Sequence, residues 1–119
     1  MNVTASTRRK ALLGIYRIRR KRKGGRLASK ELERAWTPTT GLRRADLTLA
    51  LRDAVEHHVL EVKESAQAKS YELTYLGERA MYAIPDVRDW ITLLRARMRR
   101  SRRGVAGLRR ASDTAAPAL

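Results

Sequence analysis

Between Asp46 and Met81 the spacing of apolar positions changes twice. Leu47, Ala50, Leu51, Ala54, Val55 and His58 recur at helical intervals, which predicts a helix from about Arg44 to His57 with that stripe facing a core. From Val59 to Glu64 the spacing changes to strand-like alternation. It returns from Ser70 to Leu73, with residues 65–69 as the tip of a hairpin. Thr74 can cap a further helix running through Ile84, and Pro85 ends it by removing a donor. This central stretch therefore reads as helix, hairpin, helix.

The flanking segments extend the pattern. Residues 1–7 are expected to be disordered, with Ser6 or Thr7 as N-cap of a first helix from about Arg8 to Arg20. That helix would turn Ala11, Leu12, Ile15, Tyr16 and Ile18 inward. Gly24-Gly25 stops it, and Arg26-Leu27-Ala28 suits a small edge strand. Ser29 is expected to cap a second helix with Leu32, Ala35 and Trp36 inward, broken by Thr37-Pro38-Thr39-Thr40-Gly41. Beyond Pro85, Asp86 can cap a last helix in which Val87, Trp90, Ile91, Leu94 and Met98 fall at i, i+3, i+4, i+7 and i+11. From Ser101 onward Arg, Ala, Gly and Ser dominate, the composition of a basic disordered tail over 101–119.

Composition changes the picture mainly through charge. The chain of 119 residues carries a net +15, unevenly placed. Residues 1–30 hold 11 basic and no acidic side chains, residues 31–94 hold 8 basic and 11 acidic, and residues 95–119 hold 8 basic and 1 acidic. The middle is thus mildly acidic and the ends strongly basic, a distribution suited to a polyanion. Arg outnumbers Lys 21 to 6, which favours bidentate phosphate contacts. There is no cysteine, so disulfides and thiolate metal sites are excluded. No apolar run is long enough to span a bilayer, and Gly14 and Arg17 interrupt any signal-like core, so a cytoplasmic location without membrane contact is expected.

Three segments carry a resemblance. Gly41-Leu42-Arg43-Arg44-Ala45-Asp46-Leu47 looks like the turn and start of a recognition helix. Leu51 to Val62 resembles the end of such a helix entering a wing strand. Tyr71-Glu72-Leu73-Thr74-Tyr75-Leu76-Gly77 is similar to the second wing strand and following helix of MarR/PadR-type winged helix-turn-helix regulators. The pattern departs in its extra Thr-Pro-Thr-Thr before the turn and in His58, where such proteins often have Gly. The resemblance implies a mainly α fold with a small β-hairpin wing (α+β), a winged helix over 8–84, and a terminal dimerisation helix over 85–100. It implies double-stranded DNA as partner; no cofactor is expected.

Candidate chemistry follows in four groups. Arg43, Arg44, Thr48 and Arg52 share the face of the third helix opposite its apolar stripe; Arg can pair with guanine O6 and N7. The alternative is a solvated face, with Arg52 satisfied by Glu56 at i+4. On the hairpin, Lys63, Gln67 and Lys69 are placed for backbone contact, or serve only solubility. Arg17, Arg19, Arg20, Lys21, Arg22 and Lys23 form a run without compensating acids, suited to sequence-independent phosphate contacts. Val87, Trp90, Ile91, Leu94 and Met98 either form a homodimer interface or pack on their own domain. His57 and His58 are adjacent and cannot act as an i, i+4 metal pair, and no catalytic arrangement is present in the sequence. The sequence therefore points to a homodimeric, sequence-specific transcriptional regulator, a repressor. A low-specificity architectural or mobile-element DNA-binding protein, and a basic RNA- or ribosome-associated protein, are the competing classes. Any small-molecule effector is unspecified.

Overall fold

The computed structural model describes residues 3–100. Its elements run α1 (Ala5–Ile18), β1 (Arg26–Ala28), α2 (Ser29–Thr40), α3 (Arg44–Glu56), β2 (Leu60–Glu64), β3 (Lys69–Leu73) and α4 (Tyr75–Tyr82). A fifth helix, α5, occupies 87–100. The strands form one antiparallel sheet in the order β1-β3-β2. Leu27 opposes Tyr71 on one side of β3, and Val62 opposes Tyr71 on the other. The architecture is helix-rich α+β with a small three-stranded sheet. The expected basic tail over 101–119 lies outside the described residues.

The core forms where the apolar stripes meet. Leu12, Ile15 and Tyr16 of α1, Leu32 and Trp36 of α2, Leu47, Ala50 and Ala54 of α3, and Leu60 and Leu73 of the sheet are all buried. Each large side chain removed from water contributes about 1.5–3 kcal/mol. The polar tips of Tyr16 and Trp36 inside this core are satisfied. Tyr16 donates its hydroxyl to the Tyr71 carbonyl at 2.7 Å, tying α1 to the sheet. Burial pushes the Tyr16 phenol well above its ordinary pKa, which keeps it a neutral donor. Trp36 Nε1 donates to the Arg43 carbonyl at 2.8 Å and so fixes the start of α3.

Several element ends differ from the sequence expectation, each for a local reason. Thr4, rather than Ser6 or Thr7, caps α1: its hydroxyl accepts from the Thr7 amide, and residues 5–7 are helical instead of disordered. Ser29 is the first residue of α2, and its N-cap is Ala28, with no side-chain hydrogen bond. The Thr37–Thr40 stretch does not break α2 but forms its last turn, with Pro38 inside the helix. Pro38 gives up one amide donor near the end, while Thr40 donates to the Trp36 carbonyl and Thr37 to the Leu42 carbonyl. Gly41, at φ 76°, ends the helix. The connection to α3 is consequently only Gly41-Leu42-Arg43, and the Thr-Pro-Thr-Thr insertion does not open the turn.

His58 is exposed rather than in the core. It sits at φ 58° just past α3, where its amide bonds to the Val55 carbonyl and the Val59 amide to Ala54. That pair of bonds is a Schellman motif built on His instead of Gly. As expected, Thr74 caps α4 by accepting from the Gly77 amide at 3.0 Å. The helix stops at Tyr82, two residues before Ile84. Asp86 stands at φ 46°, outside the extended conformation of an ordinary N-cap, and its backbone carbonyl accepts from the Trp90 amide.

The largest correction concerns α5. Val87, Ile91 and Leu94 are buried within the single chain, and Trp90 and Met98 pack partly against its core. A Cβ on Gly14 of α1 would overlap Ile91 Cδ1, and one on Gly41 would lie 3.0 Å from Met98 Cβ. Two glycines thus clear a path for α5 along α1 and the end of α2. The stripe assigned to a twin subunit is closed intramolecularly, because the first helix still had an uncovered side.

Candidate nucleic-acid interface

The outward face of α3 is set by its inward one. With Leu47, Ala50 and Ala54 buried, Arg44, Thr48 and Arg52 are exposed, and Arg43 is exposed at the N-cap. Between α3 and the hairpin lies an open groove of about 410 Å³. Arg44, Thr48, Arg52 and Glu56 line it from α3, Val62, Lys69 and Tyr71 from the strands, and Ser29 and Glu33 from α2. The structure therefore brings three α3 candidates and Lys69 to one concave face.

The electrostatics of that face are partly self-compensated. Arg44 Nη2 is 2.9 Å from Glu33 Oε2, an exposed pair. Lys69 Nζ is 3.6 Å from Glu64 Oε1 and 5.9 Å from the centre of the Tyr71 ring. Arg52 forms no ion pair with Glu56 or any other carboxylate among the described residues. It is the groove's uncommitted cation.

Lys63 is placed differently. Strand alternation sets Lys63 on the sheet face opposite Lys69, where its Nζ lies 3.1 Å from Glu61 and 3.5 Å from Glu72. Glu61 and Glu72 are paired residues across the sheet, so Lys63 relieves a like-charge contact. The Glu61 hydrogen bond and charge, helped by Glu72, raise its pKa. Lys63 serves the hairpin rather than the groove. Gln67 is exposed at the tip, in a turn closed by the Ser65 amide donating to the Ala68 carbonyl at 2.9 Å.

The basic run divides where α1 ends. Arg20, at φ 57°, terminates the helix in a second Schellman motif, with the Lys21 amide bonding to the Tyr16 carbonyl at 2.9 Å. Arg17, Arg20 and Arg22 then line a separate cleft against the α4–α5 corner. Arg17 stacks 4.5 Å from the centre of the Tyr82 ring. The Lys23 amide donates to Glu78 at 2.5 Å. Arg19 is left exposed at the C-cap. Cleft and groove share no lining residue, so the run and the α3 face are two surfaces.

Sequence reasoning missed the part played by the first helix in orienting α3. Arg9 binds Asp53 through two hydrogen bonds, at 2.8 and 3.1 Å, and Arg8 lies 3.9 Å from Asp46. These partners are far apart in sequence, and no local spacing announces them. It missed Glu33 as well, whose helix register gave no sign of facing α3. Among the described residues no group of three or more His, Asp or Glu could hold a metal ion, and no helix is long and apolar enough to cross a membrane. No family model, curated protein or solved structure matches the chain.

Proposed function

We propose that the chain is a winged helix-turn-helix protein that binds double-stranded DNA in a sequence-dependent way and acts as a transcriptional repressor by occupying its site. The supporting observation is the convergence of Arg44, Thr48, Arg52 and Lys69 on one groove between an exposed helix face and a hairpin. In this reading α3 enters the major groove. Arg52 addresses base edges, Arg44 and Thr48 bind bases or phosphates, and Lys69 and Gln67 follow the backbone beside the hairpin. Arg19, Lys21 and Lys23 add sequence-independent affinity.

Titration of a duplex selected by the protein against a scrambled one, at several salt concentrations, tests this. A gap of about 10³-fold or more is expected. Arg52→Ala should shrink that gap by about 1–3 kcal/mol of discrimination at one base pair, while Arg19→Ala weakens both duplexes alike. Equal affinity for both duplexes, vanishing together with salt, would favour the second reading, a low-specificity architectural protein. That reading draws on the Glu33–Arg44 and Glu64–Lys69 pairs, which leave few free cations in the groove.

A further inference from the structure

The cleft at the α1–α4–α5 corner has a volume of about 580 Å³, within the range of small-molecule sites. Four arginines line it, Arg17, Arg20, Arg22 and Arg88, together with Asp86 and Asp89. No ion pair joins any of these six side chains to one another or to any other charged group among the described residues. Cations and acids gathered in one concavity without neutralising each other leave their hydrogen-bonding capacity open. The remaining walls are apolar or aromatic: Tyr82, 48 % exposed, with Ile84 and Val87.

We propose that this cleft binds a free nucleotide carrying two or more phosphates. Guanidinium groups match phosphoryl oxygens bidentately. The two carboxylates accept from ribose hydroxyls, and the base lies against the stacked Arg17–Tyr82 pair beside Ile84. A bare polyanion would not need the acids, and a nucleoside would not need four arginines. The site is separate from the α3 groove, so its occupancy is independent of whether that groove binds DNA.

Calorimetric titration of the full chain with ADP, pyrophosphate and adenosine tests the assignment. ADP should bind at least tenfold more tightly than either fragment. The exposed double variant Arg22→Ala/Arg88→Ala should lose at least tenfold in ADP affinity at an unchanged thermal unfolding midpoint, whereas Arg52→Ala should leave ADP binding intact. Asp86→Asn/Asp89→Asn should weaken ADP but not pyrophosphate. No ADP binding by the native chain, equal affinity for pyrophosphate and ADP, or unaltered ADP binding in the arginine double variant would overturn the proposal. So would displacement of ADP by duplex DNA with both ligands weakened equally by that variant, which would make the cleft a backbone-phosphate surface.

Discussion

At the scale of single residues, two carboxylates set the character of the α3 face without belonging to α3's outward side. Glu33 holds Arg44 at 2.9 Å and would compete with a phosphate for the same guanidinium. Glu33→Gln should therefore tighten duplex binding several-fold and steepen its salt dependence by about one counterion, read by titration at varied salt. Asp53 has a structural task. Its hydrogen bonds from Arg9, reinforced by the Arg9 charge, outweigh the opposing effect of burial and hold its pKa below the ordinary carboxylate value. A depressed folded-state pKa stabilises the fold above the unfolded pKa, and that stabilisation is lost as pH falls through the folded value. Asp53→Asn should thus cost about 1 kcal/mol at neutral pH, allowing for the partial exposure of the pair. The difference from the native chain in denaturant unfolding should shrink in acid below the usual aspartate range.

At the scale of elements, the hydrophobic period was a good guide to existence and type and a weaker one to ends and partners. The change from period 3.6 to 2 at Val59 and back at Thr74 is visible in the sequence because each segment is amphipathic by itself. The edge strand Arg26–Ala28 has the bounds expected of it. The end of α2 was misread because Pro38 and three threonines resemble a break, while hydroxyl bonds to nearby carbonyls complete the last turn. The partner of α5 was misread for a different reason. A stripe such as Val87-Trp90-Ile91-Leu94-Met98 states that something covers it but not what, and Gly14 gave no local sign of being a seat for Ile91. Gly14→Ala should force Ile91 and Val87 aside and destabilise the chain by about 1–3 kcal/mol in denaturant unfolding. Trp90→Ala should likewise lower stability, without shifting the sedimentation of the folded protein.

Across the whole molecule, two surfaces emerge from what the sequence presents as one division between a mildly acidic middle and basic ends. The middle folds so that an uncommitted arginine and a threonine on α3 face a hairpin lysine across a groove. The first basic end curls at Arg20 into a cleft of its own against α4 and α5. The α3 half of the candidate site was legible because helical spacing alone places Arg44, Thr48 and Arg52 on one side. The hairpin half was only partly legible: the sequence offers Lys63 and Lys69 alike, and both the register that sets them on opposite faces and the packing of Val62 and Tyr71 towards α3 are tertiary. The course of Arg17–Lys23 was not legible, since a charge run does not reveal the left-handed residue that redirects it.

The central claim is that duplex DNA is read by the α3 groove, and NMR titration of the labelled chain with a selected duplex tests it most directly. The account predicts that the largest shifts fall on the amides of Arg44, Thr48, Arg52 and Lys69 and on the Arg52 Nε–H. An unmoved α3, with shifts confined to Arg17, Arg20, Arg22 and α5, would contradict it.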